Sequence, residues 1–499
     1  MTIIHPKKTK VWLSMFIFLF FGIINEATAD IMLSDRLSVG GFLKYQLTVH
    51  TAQKNPYNTE QEDNNSINLS RAFFVTDWTY RPANNVKIFS KLRLIHDSTN
   101  DIDDDLGNYN AFPLATPRYG TYLRPTKCDD FLVEMSELYA DLNLGASWFR
   151  IGKQQIVWGE MIGARIMDLI NPLDYSWHLM FEPEEYEQIR LPQWSIRGVY
   201  NVEQKIVPWL NDFYLEGFMN PGDISPQINP EFGAPFNLKS PTAVVFELDE
   251  KDRRGDIEYG FRLGGRIGHL FCTLNYLHLY TDGGYWKYSG MIAPPVPPNP
   301  PPYFLEKVSY PSTNILGVTL NYSFAPPLNT TVTFEGTYTH DQPYQKLKTG
   351  SMAAFADIKE AGTLNYAIRF DRMTFILPPP VRPMDIKVQF TQKVIKDHDD
   401  IMANPAPFDE EYNQLDSTSE FITLLLSQDF MHNDIRLSFK GVYDFDGDYW
   451  IMPGFKYNIG DHWRFDIHGM ALGGSDRRVG RLGYFYWADE ISARIIFQF

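Results

Sequence analysis

The sequence predicts an all-β fold, a transmembrane antiparallel up-and-down β-barrel of about 18 strands, with 16 as the alternative count. Three observations predict it. Apolar and polar residues alternate with a period of two along most of the chain after residue 37, as in strands with one apolar face. The connections between these strands alternate between long and short, as in barrels with long external loops and short periplasmic turns. The chain also ends on a strand whose alternate residues are apolar: Ile491, Ala493, Ile495, Phe497 and Phe499.

The composition fits this fold and argues against other classes. After residue 29 there is no run of 18 or more apolar residues, so no membrane-spanning helix is expected. Aromatic residues form 15% of the chain, which suits the girdles of a membrane barrel. The net charge of −16 argues against a nucleic-acid partner. No Cys-x-x-Cys-His motif, zinc motif or nucleotide-binding fingerprint occurs, so we expect no cofactor and no metal site.

The beginning of the chain has the pattern of a secretory signal. Lys7, Lys8 and Lys10 precede an apolar stretch over residues 11–24, and Ala27-Thr28-Ala29 fits a small-residue cleavage site. The pattern predicts a cleaved signal peptide over residues 1–29 and a barrel over residues 30–499.

The last strand resembles the C-terminal signal by which bacterial outer-membrane barrels are recognised for assembly, with Phe497 and Phe499 as its aromatic residues. The resemblance implies location in the bacterial outer membrane. It also implies outer-membrane lipid and the barrel assembly machinery as partners.

Each predicted strand is long enough to cross the apolar band when tilted, which takes about 9–11 residues. The clearest apolar faces belong to residues 86–94, 257–263, 316–324, 386–390 and 435–443. In chain order, the predicted strands cover residues 37–50, 68–80, 86–97, 131–144, 148–158, 193–202, 210–219, 256–266, 270–280, 313–324, 330–340, 362–372, 384–396, 418–430, 435–445, 449–459, 463–471 and 484–499.

The connections predict the direction of the barrel. Short turns at 81–85, 145–147, 267–269, 325–329 and 460–462 are expected on the periplasmic side, and the long connections outside. Asp446-Gly447-Asp448 breaks this rule: it is a short external hairpin, or the strand count is wrong nearby. This direction puts Cys128 near the outer rim and Cys272 near the periplasmic rim. Two free cysteines follow, because a disulfide needs Cα atoms within about 7 Å.

A distinctive segment follows the predicted strand 148–158. It reads Gly152-Lys153-Gln154, then Trp158-Gly159-Glu160, then Asn171-Pro172-Leu173-Asp174. Here the chain resembles a family of Gram-negative outer-membrane proteins catalogued as a domain of unknown function, and the resemblance implies a porin-like barrel. It also implies a loop, residues 159–192, that folds into the lumen.

Two interpretations of this loop stay open. It is either a constriction lined or braced by its polar residues, or a structural plug in which Arg and Asp pair internally. The candidate constriction residues are Glu160, Arg165, Asp168, Asn171 and Asp174.

The polar faces of the strands predict the charge of the lumen. Basic residues predominate on them, which favours anions, although pairing across strands would cancel the effect. The candidate pore-lining residues are Lys87, Lys91, Arg93, Glu258, Arg262, Arg266, Arg369, Lys387, Lys393, Arg436, Lys440, Arg464 and Arg494.

The predicted function is passive passage of small polar solutes. Two interpretations of its selectivity stay open: a preference for anions, or no charge selectivity because the lumen charges pair. A barrel sheath around a partner protein, such as a cytochrome conduit or an export assembly, is the alternative. We expect no enzyme activity, because no nucleophile lies in a recognisable catalytic context. The sequence leaves the solute, the open or plugged state of the lumen, and the choice between monomer and homo-oligomer undecided.

Overall fold

The structure is a computed structural model. It describes residues 31–51, 67–99, 126–128, 131–175, 186–202, 207–221, 244–248, 257–283, 285–292, 303–347, 355–378, 381–403, 415–474 and 485–499. The predicted signal peptide, residues 1–29, lies outside the described residues.

A closed antiparallel barrel of 18 strands forms the wall of the molecule, which confirms the predicted fold and the larger strand count. The described residues also form six further strands, of which Val244–Leu248, Tyr285–Ile292 and Tyr303–Ser309 make a separate three-stranded sheet. Consecutive strands pair with each other, and β18 pairs with β1, from Phe42 opposite Gln498 to His50 opposite Glu490. In chain order the strands are β1 (Leu37–His50), β2 (Ile67–Ala83), β3 (Val86–Asp97), β4 (Phe131–Leu144), β5 (Ser147–Gln154), β6 (Gln193–Asn201), β7 (Leu210–Pro221), β8 (Ile257–Ile267), β9 (Leu270–Tyr280), β10 (Ser312–Ser323), β11 (Thr330–Leu347), β12 (Phe355–Thr374), β13 (Met384–Ile395), β14 (Thr418–Phe430), β15 (Ile435–Asp444), β16 (Tyr449–Ile459), β17 (Trp463–Gly473) and β18 (Glu490–Gln498).

Alternation along the strands separates the two faces of the wall. Phe261 and Leu274 point outward and are 58% and 60% exposed, while Arg262 and Asn275 point inward and are buried. Because strand side chains alternate in direction, this arrangement gives an apolar outer surface and a polar lumen. Within the described residues, no helix has both the length and the apolar character needed to span a membrane.

The short turns lie together at one end of the barrel, which we call the short-turn end; the other is the long-loop end. At the long-loop end, β15 and β16 are separate antiparallel strands joined by a tight hairpin, with Tyr443 opposite Tyr449. Gly447 in this hairpin has a φ of 103°, which glycine adopts readily. The exception at residues 446–448 is therefore a short hairpin, and the strand count stands.

Three details differ from or extend the prediction. The fifth strand ends at Gln154 rather than residue 158, because the chain turns into the lumen there. β11 and β12 are longer than predicted and pair beyond the rest of the wall as far as Leu347 opposite Phe355. Cys272 is a free cysteine, as predicted. The side chain of Cys128 lies outside the described residues.

Candidate functional site

The chain enters the lumen directly after β5. The described residues 155–175 and 186–192, which we call the inner segment, contact strands on the far side of the barrel. The Glu160 N–H donates to Glu335 Oε1 of β11 over 2.5 Å. The Ile162 N–H donates to Gln389 Oε1 of β13 over 2.9 Å, and Gln389 Nε2 donates back to the Ile162 carbonyl over 2.9 Å. The inner segment therefore crosses the lumen from β5 to the opposite wall.

The tip of this crossing needs glycine. Gly163 has a φ of 71°, in the left-handed region that favours glycine. It lies against β14, where a Cβ on it would be 3.6 Å from Thr423 Oγ1. Three inward threonines of the wall, Thr337 of β11, Thr391 of β13 and Thr423 of β14, are short and buried. Short side chains let the tip approach this wall closely.

An apolar cluster holds the first half of the inner segment against β7, β9 and β10. Met167 is fully buried, and a Cβ on Gly317 of β10 would come within 2.2 Å of its sulfur. Trp158 also donates from its indole to Glu216 Oε1 over 2.8 Å. The buried members are Ile156, Trp158, Met167, Ile170, Phe218, Leu277, Leu279 and Ile315.

A second apolar cluster holds the other half against β2, β3 and β4. Leu173 and Ile189 are its contributions from the inner segment, and both are almost fully buried. The wall contributes Phe73, Val75, Ile95 and Leu132. Because β2–β4 and β7–β10 are both covered in this way, the crossing fills the lumen on these sides.

Most of the predicted constriction residues brace the inner segment from within. Arg165 donates to the carbonyls of Asp168 and Asn171, each over 2.5 Å. Asp168 is paired with Arg190 at 2.6 Å. Asn171 accepts the Ile156 N–H over 2.7 Å, and its amide donates to the Leu191 carbonyl over 2.9 Å.

The remaining two predicted constriction residues differ from each other. Asp174 is buried, and its N–H donates to the Ile189 carbonyl over 2.7 Å. Glu160 alone of the five is exposed, and its carbonyl accepts from Arg369. The arrangement thus combines a braced plug with an exposed tip, the features of both interpretations.

The predicted lumen charges on β3 and on β8 have local partners. Lys87 pairs with Asp141 at 2.8 Å, and Arg93 pairs with Glu134 at 2.5 Å. Further contacts are Lys91 with Glu137 at 3.7 Å, Glu258 Oε2 with Asn220 Nδ2 at 2.8 Å, and Arg262 Nη2 with the Trp158 carbonyl at 3.2 Å. Arg266 lies at the short-turn rim, 3.7 Å from Asp212, with a side chain 54% exposed.

The other predicted lining residues lie on β12, β13, β15, β17 and β18. Arg369 pairs with Asp371 at 2.9 Å, and Arg464 pairs with Asp466 at 3.3 Å. The Lys393 ammonium lies 4.7 Å from the centre of the Tyr344 ring. These contacts hold the side chains in place. The contact of Lys393 is with an uncharged ring, so it does not neutralise the charge of the ammonium.

A cavity of about 290 Å³ lies between the tip residue Ile162 and the wall of β13–β18. We call it the basic cavity, because its lining contains more cations than carboxylates. The carboxylates are Asp385 and Asp466, and the cations are Lys387, Arg436, Lys440, Lys456 and Arg494. Its lining carries a surplus of three positive charges.

Sequence reasoning missed several residues of this site. Lys456 alternates with Phe455 and Tyr457 on β16, so its inward direction was available from the same pattern as the others. Alternation also gave the inward direction of Glu335 and Gln389, but nothing in the sequence indicated that they anchor the tip. Their partners are backbone groups 175 and 227 residues away in the chain.

A second stretch, residues 485–489, covers the lumen face of β16 and β17 near the long-loop end. Phe485 and Trp487 pack in a buried cluster with Trp450 and Leu472. The Asp489 carboxylate accepts the Leu472 N–H over 2.8 Å, and burial raises the pKa of Asp489. This stretch narrows the lumen beyond the basic cavity.

A family profile described as "Protein of unknown function (DUF1302)" matches residues 53–499. The chain belongs to the DUF1302 family. This match confirms the predicted membership of a family of unknown function. No protein with a curated description matches the sequence.

Solved structures similar to this DUF1302 protein are porins. Acinetobacter baumannii OccAB3 superposes with a TM-score of 0.50 at 9% identity, over 93% of this chain and 99% of that one. A BenF-like porin from Pseudomonas fluorescens Pf-5 gives 0.46 at 9% identity, over 94% and 98%. The OccAB3 superposition supports a porin-like barrel fold.

Among the residues described here, no three His, Cys, Asp or Glu side chains are grouped to hold a metal ion.

Proposed function

We propose that this DUF1302 protein is a passive channel of the bacterial outer membrane for small polar solutes, with a preference for anions. One observation carries the proposal: the inner segment crosses the lumen and packs on β2–β4 and β7–β10, while a cavity with surplus positive charge remains beside β13–β18. The solute passes this cavity down its gradient, between the tip at Ile162 and the wall.

The charge of the cavity supports the anion preference. Rings of Arg and Lys favour anions in pores, and a low-dielectric wall focuses their field into the water they surround. Arg436 pairs with Asp429 at 2.6 Å, and Asp466 is shared between Arg464 at 3.3 Å and Arg494 at 3.8 Å. Adding Asp429 and Arg464 to the lining leaves the surplus of three unchanged, so these pairs do not cancel it.

The orientation follows from the connections. Outer-membrane barrels have short turns on the periplasmic side and longer loops outside. With this orientation the basic cavity lies on the periplasmic side of the tip, because Lys387 precedes Gln389 on a strand that begins at the short-turn end. Lipid covers the apolar outer face, and the proposed partners are the assembly machinery and the solutes.

The alternative, a sheath around a partner protein, needs a wide lumen. The inner segment occupies that space and is held by two buried clusters, which argues against this alternative.

Planar-bilayer recording of the purified full chain tests the proposal. In a gradient of potassium chloride we expect a steady conductance whose reversal potential shows chloride passing more readily than potassium. A folded barrel that conducts no ions contradicts the channel function. A conducting barrel that prefers potassium contradicts the anion preference.

A further inference from the structure

Cations and apolar side chains alternate along one rung of the basic cavity. Lys387 of β13 is opposite Leu425 of β14, Leu425 is opposite Lys440 of β15, and Lys440 is opposite Met452 of β16. Directly opposed residues share one face of a sheet, with Cβ atoms about 4.5–5.5 Å apart. All four line the cavity. The rung therefore offers charge and apolar surface side by side.

Leu425 breaks the alternation that governs the rest of its strand. Leu424, Leu425 and Leu426 follow one another, so one of the three must face the lumen. Leu425 is the inward one, because it pairs with the inward Lys387. An apolar side chain on the water side of the wall has no role in excluding lipid.

The tip of the inner segment faces this rung with another apolar side chain. Ile162 lines the cavity, and its backbone is fixed by Gln389, two residues along β13 from Lys387. Ile162, Leu425 and Met452 thus give the cavity an apolar part. The two hydrogen bonds between Ile162 and Gln389 keep Ile162 at a fixed height in the lumen.

Polar groups continue from the rung toward the short-turn end. Ser427 and Ser438 are opposite each other on the next inward rung, and both line the cavity. Arg436 and Lys456 form the rung after that, also opposite each other. Hydroxyl donors and cations therefore lie within a few residues of Leu425 and Met452.

We propose that the basic cavity is a binding subsite for organic monoanions that have an apolar body, such as a monocarboxylate with a hydrocarbon chain. This inference rests on the proposed channel function and narrows its solute class. The carboxylate contacts the cations and serine hydroxyls, and the hydrocarbon covers Ile162, Leu425 and Met452. A hydrophilic anion leaves that apolar surface in water, and a neutral apolar solute leaves the cations without a bound charge.

A matched set of six-carbon probes tests the subsite. Hexanoate and gluconate carry the same charge on the same number of carbons, and hexanamide has the apolar chain without the charge. Each probe is added to the purified full chain in a planar bilayer that carries a chloride current. We expect hexanoate to interrupt the current in a saturable way at concentrations at least about tenfold below those needed with gluconate or hexanamide.

A pair of variants identifies the apolar contact. Leu425→Ser is expected to raise by about tenfold the hexanoate concentration that halves that channel's own current, because the leucine contact with the hydrocarbon chain is lost. Leu425→Met keeps the apolar surface and is expected to retain the block. If Leu425→Ser does not fold, the three probes on the unchanged protein still decide the question.

The outcomes separate this inference from the proposed function. No current in any salt overturns the channel and the subsite with it. A chloride-preferring current that hexanoate and gluconate interrupt equally overturns the subsite and leaves the channel standing. Equal block by hexanamide and hexanoate shows that the cations take no part, which also overturns the subsite.

Discussion

The tether between Gln389 and Ile162 gives the sharpest test of how the lumen is narrowed. The Gln389 amide both donates to and accepts from the backbone of Ile162, at 2.9 Å each way. Gln389→Leu keeps a side chain of similar size and removes both hydrogen bonds. Each such bond contributes about 0.5–1.5 kcal/mol net, so the loss is about 1–3 kcal/mol. The fraction of time that the tip is detached should rise about 5- to 140-fold, since about 1.4 kcal/mol corresponds to a factor of ten.

Single-channel recording measures this effect. A detached tip widens the passage beside β13–β18, so we expect Gln389→Leu channels to visit a higher-conductance level far more often than the unchanged protein. Gln345→Leu is the matched control. Gln345 is also buried, but it donates to the Asp357 carbonyl over 3.1 Å in the extension of β11, away from the tip. If Gln389→Leu records match those of the control and the unchanged protein, the tether does not set the constriction.

Three further predictions concern charge, packing and assembly. Lys456→Glu lowers the surplus positive charge of the basic cavity from three to one, so the reversal potential should shift toward the equilibrium potential of potassium. The control Arg372→Glu, on the outer face, should leave the reversal potential unchanged. Met167→Ala should weaken the packing of the inner segment on the wall by about 2–5 kcal/mol, so that a protease cleaves this segment in the folded barrel. Leu274→Ala, on the outer face, should leave the segment resistant to the protease. If the two variants resist cleavage equally, the buried cluster around Met167 does not hold the segment in place. Phe499→Ala removes ring contacts with Phe74 and Phe497 worth about 0.5–1.5 kcal/mol, and with them the last residue of the predicted assembly signal. The amount of folded, heat-modifiable barrel in the outer membrane should therefore fall. An undiminished amount would refute the role of Phe499 in assembly.

The strand pattern was readable because it is local. Leu92 and Arg93 are neighbours in the sequence and face opposite sides of the wall, so polarity alone assigns each to its face. The same pattern gave most strand ends within a few residues. It failed at the end of β5, where Ile156 and Trp158 continue the two-residue spacing of apolar side chains but pack inside the lumen. An apolar face in lipid and one against an inner segment look identical in sequence.

The inward apolar residues show the same limit. Phe218 and Leu277 point into the lumen, where a simple alternation rule expects polar side chains, because the inner segment covers them. The five predicted constriction residues lie in that segment. Their division into bracing residues and one exposed residue, Glu160, depends on carbonyl groups brought close by folding.

The sequence by itself determined the all-β class and the strand positions, because each depends on residues a few positions apart. The inward cations and the segment that enters the lumen are predictions from the same kind of local pattern. Only the tertiary structure decided where the basic cavity lies beside the inner segment and which cations line it. That choice depends on contacts such as Ile162 with Gln389, 227 residues apart, and on apolar packing of one segment against two separate parts of the wall. Contacts of that range arise when the barrel closes, and no local pattern encodes them.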